Sequence, residues 1–167
     1  SAHLGDRLPR VSQDVVFERL IDACAPSFVP EHQLHSTIVF PAAGYLSLMI
    51  DAMALTFPEA SVVCLEDVQF ERALVIPQDM SCAIRTVLSG DSIRVESSMD
   101  TTFWQCHARA QIRSRFEHTT TTPLHTRYTE WEKIDAINIY QAMEERANIN
   151  LRGAFRATRN IYRNNVV

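Results

Sequence analysis

Glu31-His32-Gln33-Leu34-His35-Ser36-Thr37-Ile38-Val39-Phe40-Pro41 is the stretch on which the fold turns. Thr37 to Phe40 are β-branched or aromatic and predict a strand. Pro41 ends it, because its φ is preset for a first helical turn, where its missing N–H costs nothing. Ala42 to Phe57 then reads as one helix, apolar on nearly every side, and such a helix is normally enclosed by the rest of its fold. Pro41, Gly44 and a central Asp51 argue against a lipid-exposed span. A histidine therefore precedes an apolar strand that runs into a helix N-terminus, an arrangement that aims an imidazole at helix-terminal amides.

Outward from this junction, β-rich runs at Val62–Phe70, Ala73–Ile76, Cys82–Leu88, Ile93–Ser97 and Phe103–Ile112 alternate with turn material such as Ser89-Gly90-Asp91 and Ser98-Met99-Asp100. Arg85 to Val95 reads as a hairpin. With strands around Leu8–Phe17 and Thr37–Phe40, the pattern is α+β: one antiparallel sheet around one long helix. From Glu117 to Tyr128 the chain becomes threonine-rich and poor in apolar residues, as linkers are. Helical character returns from about Ile134 to Ala147, and Phe155–Val167 reads as the beginning of a strand.

Composition excludes several functions. Sixteen Lys+Arg against 20 Asp+Glu, a net charge of −4, leave no positive field for nucleic acid. Arg152, Arg156, Arg159 and Arg163 are read as a solvated face. Cys24, Cys64, Cys82 and Cys106 have no C-x-x-C spacing, so reduced thiols in a cytoplasmic setting are expected rather than a disulfide or zinc site. The six histidines form no H-E-x-x-H or comparable ligand set, and no metal is expected.

His32 and Pro41 match the signature H-x-x-x-G-x-x-x-x-P of dehydratase domains in polyketide synthases, with Ser36 standing in place of the glycine. His3-Leu4-Gly5-Asp6-Arg7-Leu8 resembles that family's "HPLLG-x-R-L", and Pro41-Ala42-Ala43-Gly44-Tyr45-Leu46 its "PGAGY-L/V". Leu65-Glu66-Asp67-Val68-Gln69-Phe70 with Ala73–Pro77 is similar to "L-x-D-V-x-F…PLVLP", and Trp104–Ala108 to "W-x-x-H-A/C". The resemblance implies a hotdog fold, a long central helix wrapped by an antiparallel sheet. More specifically, it implies the first half of a double hotdog with a truncated second half: residues 1–116 as the N-terminal hotdog, 117–130 as linker, 131–167 as the beginning of the C-terminal hotdog. Ala154 and Phe155 match the end of the family's "YGPAF".

The same resemblance implies removal of water from a β-hydroxyacyl group on the phosphopantetheine of an acyl carrier protein, with no further cofactor. His32 is then the general base, a role suited to a pKa near neutrality. Ser36, Pro41, Ala42, Ala43 and Gly44 are the expected substrate-binding residues, the helix-terminal amides serving as oxyanion donors. Ser36 is expected to be tolerated in an extended conformation beside the channel, the alternatives being that it narrows the channel or marks a variant chemistry. The family's acid, an aspartate in "D-A/V-x-x-Q/H", has no match; Asp135-Ala136 resembles its first letters but lies ahead of the "YGPAF" equivalent. The chain is accordingly expected to be a fragment, inactive alone, with the acid on a missing segment or another chain. His35 and His107 are read as structural, His3, His118 and His125 as solvated. Expected partners are the carrier protein, neighbouring synthase domains and a second copy joined through the N-terminal hotdog, with no nucleic acid and no membrane. A double-bond isomerase or pyran-forming cyclase on the same fold, a non-catalytic dimerising or docking element, and a free-standing single-hotdog hydratase or thioesterase are the alternatives.

Overall fold

The computed structural model describes residues 3–9, 13–60, 62–115 and 131–163. In chain order the elements are β1 (Asp6–Arg7), β2 (Val15–Ile21), β3 (His32–Leu34), β4 (Thr37–Ile38), α1 (Ala42–Thr56), β5 (Val62–Phe70), β6 (Cys82–Ser89), β7 (Ser92–Ser98), β8 (Gln105–Arg115), β9 (Glu132–Asp135), α2 (Ala136–Ala147), β10 (Ile149–Leu151) and β11 (Asn160–Arg163). Six strands form an antiparallel sheet in the order β1-β2-β6-β7-β8-β5. The hairpin expected at Arg85–Val95 is β6–β7, closed between Ser89 and Ser92. Where Ala73–Ile76 promised a strand there is one bridge, Val39 to Val75.

β2 shows how sequence becomes layer. Val15, Phe17 and Ile21 are buried while Val16, Glu18 and Leu20 between them are half-buried or exposed, the period of two that puts one strand face in the core. Inward residues of β6, β7 and β8, including Ile84, Leu88, Ile93, Val95, Ala108 and Ala110, meet α1 through its buried Tyr45, Leu48, Met49, Ala52 and Met53. Those five positions follow helical i, i+3, i+4 spacing, so a single stripe of the helix is covered. This corrects the expected all-round enclosure: Ile50 is 54% and Leu55 51% exposed, because the described sheet packs against one side only. On the sheet's outer face Glu96 lies between Arg85 at 2.7 Å and Arg94 at 2.6 Å, and Arg85 stacks over Trp104.

The expected linker, residues 117–130, lies outside the described residues, as do His118 and His125. Beyond it, β9 pairs with β11, and β10 extends the β3–β4 hairpin into a three-stranded sheet, Leu151 opposite His32. The helix expected from Ile134 begins at Ala136, because Ile134 and Asp135 pair with β11 and the Asp135 carboxylate caps α2 by accepting from the Ile137 N–H at 3.0 Å. Asn148 closes α2 in the left-handed conformation. Phe155 belongs to a short 3-10 turn, Gly153–Arg156, and the strand expected from it starts at Asn160. Among the described residues no helix is long and apolar enough to cross a membrane.

Candidate active site

β3 and β4 pair Leu34 with Thr37, leaving His35 and Ser36 as a two-residue turn. Both have positive φ, 49° and 63°, as the hairpin turn that matches strand twist requires. Glycine is free there and serine is strained, so Ser36 is not extended as expected. It is exposed and lines neither cavity described below. The turn is braced from the side by α2, whose terminal Asn148 carbonyl accepts the His35 N–H at 2.9 Å.

The hairpin carries His32 at its start and Val39 just past its end. His32 Nδ1 lies 2.8 Å from the Val39 carbonyl; a carbonyl only accepts, so in the neutral ring the proton is on Nδ1 and Nε2 keeps its lone pair. Phe155 packs against the imidazole at 5.1 Å between ring centres. That phenylalanine is held by the clasp at Glu31, whose main-chain carbonyl accepts the Arg152 N–H and whose carboxylate accepts the Ala154 N–H, each at 2.9 Å. Gly153 has φ 46°, and any Cβ there would run into the Glu31 carboxylate.

α1 starts at Ala42, with Pro41 as the extended residue before it. The Gly44 and Tyr45 amides turn back to the Pro41 carbonyl, so the donors this helix end offers outward are those of Ala42 and Ala43. The positions divide around the helix. Ala42 lines a cavity of about 360 Å³ with His32, Leu34, Tyr45 and Phe70. Pro41, Ala43 and Gly44 line an apolar cavity of about 240 Å³ with Phe28, Ser47 and Phe155. Phe40 borders both. A Cβ on Gly44 would stand 2.6 Å from the Phe40 ring, so glycine lets the helix sit on that wall.

Sequence reasoning assigned no site role to Tyr45, Phe40 or Phe155. The motif matches at Tyr45 and Phe155 were the available signal. Tyr45 is buried, and burial pushes its phenol up to about 12, keeping it neutral. Its oxygen accepts the Leu74 N–H at 3.2 Å. Glu71 borders the His32 cavity but is paired with Arg109 at 2.9 Å. Away from the cavity, His107 is satisfied on both sides: Nδ1 donates to the Arg72 carbonyl at 3.0 Å and Nε2 accepts from Ser97 Oγ at 2.7 Å. Burial lowers its pKa, so it is neutral. The four cysteines are free thiols, and among the described residues no three His, Cys, Asp or Glu side chains converge as metal ligands would. In the neutral ring His32 thus has one nitrogen committed to a carbonyl and the other bare, in a cavity that also reaches Ala42 at the start of α1.

A family model for the polyketide synthase dehydratase domain matches residues 3–104. The highly reducing polyketide synthase apmlA of Arthrinium phaeospermum is 30% identical over 82 residues, covering 43% of this chain and 3% of its own. A highly reducing polyketide synthase of Eupenicillium brefeldianum is 32% identical over 114 residues, 58% of this chain and 5% of its own. Among solved structures, the dehydratase domain from the CurF module of curacin polyketide synthase has a TM-score of 0.85 at 20% identity, covering 96% of this chain and 61% of that one. An isomerase-inactive variant of GphF dehydratase 1 has a TM-score of 0.82 at 21% identity, covering 98% and 58%. The fold is the hotdog that these structures share, and the chain spans about three-fifths of their length.

Proposed function

Because the chain belongs to the polyketide synthase dehydratase family, we propose that it provides the base side of a site that removes water from a β-hydroxyacyl thioester. The observation that carries this reading is the His32 Nδ1 bond to the Val39 carbonyl, which in the neutral ring leaves the Nε2 lone pair bare in a cavity shared with Ala42 at the start of α1. Nε2 takes the α-proton, and the Ala42 amide at the start of α1, on the same cavity, stabilises the negative charge that gathers on the thioester oxygen. The β-hydroxyl must then leave with a proton from an acid. Glu71 is tied to Arg109 and the Asp135 carboxylate accepts the Ile137 N–H, so the acid is assigned to a group outside the described residues. The acyl group arrives on the phosphopantetheine of an acyl carrier protein, and neighbouring synthase domains and a second copy of the chain are the proposed partners.

A second reading is double-bond isomerisation: the imidazole in its cavity, with no acid placed there among the described residues, suffices for a proton shift, which expels no leaving group. Purified chain is offered a β-hydroxyacyl pantetheine thioester, alone and joined to an acid-bearing second unit, and separately a β,γ-enoyl thioester. Water loss only in the joined form, abolished by His32→Ala, is the expected result. Robust dehydration by the chain alone contradicts the half-site account, and conversion of the enoyl thioester without any dehydration in the joined form selects the isomerase.

A further inference from the structure

Residues 71–76, between β5 and β6, form one bridge and otherwise no regular structure, yet they are tied on two sides. Toward β8, the Glu71 N–H donates to the His107 carbonyl at 2.8 Å, and the His107 ring returns a bond to the Arg72 carbonyl. Toward α1, the Leu74 N–H donates to the Tyr45 hydroxyl. His107 and Tyr45 are also stacked on each other, 4° from parallel and 6.1 Å between centres. His107 is 3% exposed; the Arg72 carbonyl, which can only accept, keeps a proton on Nδ1, and the Ser97 hydroxyl lies on Nε2. The same segment then holds residues 38–40: the Phe40 N–H donates to Leu74 O at 2.8 Å, the Ile76 N–H to Ile38 O at 2.9 Å, and Val75 bridges Val39. Val39 supplies the carbonyl that takes the His32 proton.

We propose that His107 and Tyr45 are positioning residues for His32: they fix residues 71–76, these fix the Val39 carbonyl, and that carbonyl selects the imidazole tautomer with a bare Nε2. The catalytic use of that tautomer rests on the reading of His32 as base. The chain of contacts explains why a buried polar pair is kept inside an otherwise apolar core, where a polar group is tolerated only when fully bonded.

The experiment reads the His32 ring itself, by long-range ¹⁵N–¹H correlation on the labelled full chain, in His107→Leu, His107→Asn and Tyr45→Phe. The main-chain bonds to the His107 carbonyl need no side chain, so what changes is the side-chain contribution. His107→Leu and Tyr45→Phe should lower the ratio of Nδ1–H to Nε2–H tautomer at His32 by about threefold or more, the population an ordinary hydrogen bond maintains. His107→Asn, whose amide can still donate to Arg72, should restore most of the ratio. An unchanged ratio in both His107→Leu and Tyr45→Phe, with only a lowered melting temperature, overturns the proposal and makes the pair mere core packing. If His107→Leu does not fold, Tyr45→Phe decides alone, since it removes a single oxygen. The readout uses no substrate: a tautomer that responds while His32→Ala retains proton abstraction keeps the positioning and removes the base reading.

Discussion

Residues 3–115 and 131–163 are built on different principles. The first region carries a core of side chains from β2, β6, β7, β8 and α1, many of them fully enclosed. In the second, Ala136 is the one buried residue among those described, and the rest of α2, β10 and β11 lies half-buried or exposed. It is attached instead through hydrogen bonds: β10 on β3, Asn148 on His35, and the Arg152 and Ala154 amides on Glu31. Yet it delivers Phe155 to the imidazole. Stability therefore resides in the first region, while the geometry around His32 is shared between the two.

Core truncation should separate the regions most sharply. Met49→Ala, at a position with no exposure, should cost about 2–5 kcal/mol by urea denaturation, whereas Ile161→Ala, the half-buried residue of otherwise exposed β11, should cost under about 1 kcal/mol. Equal losses would mean that both regions share one core. Next in size is the clasp. Glu31→Ala should speed amide exchange at Ala154 and Phe155 roughly tenfold or more, the worth of a charge-assisted bond at a partly exposed site, and leave β6 and β7 amides protected as before. If exchange in β6 rises in parallel, the attachment is part of the global unfolding unit. Smallest is the turn: Ser36→Gly should raise stability by about 0.5 kcal/mol, because relief of a left-handed serine slightly exceeds the extra chain entropy of glycine. A clear destabilisation would show that the serine side chain contributes to the hairpin.

The strand-to-helix junction and most sheet strands were legible because residue type and period carry them: Thr37–Phe40, Pro41, and the β6–β7 hairpin read directly. Apolarity says which residues can be buried, not how many sides find a partner, so Ile50 and Leu55 were expected inside and are exposed. The left-handed turn at His35–Ser36 was hidden because neither residue is glycine. The α2 start was misplaced by two residues, since only pairing of Ile134 and Asp135 with β11, remote in sequence, makes them a strand. The place of His32 was legible through its motif. Its orientation by Val39, its contact with Phe155 and the Tyr45–His107 stack were not, because each depends on a tertiary approach that no local pattern encodes.

On the proposed function, His32 and the first turn of α1 suffice for removing an α-proton. Deuterium uptake at the α-carbon of a β-hydroxyacyl pantetheine thioester, followed by mass spectrometry with the purified chain in D₂O, addresses it without needing an acid. Uptake above the buffer rate that falls by about 10²–10⁴ in His32→Ala is the predicted result; equal uptake in the two proteins, or none beyond buffer in either, would contradict it.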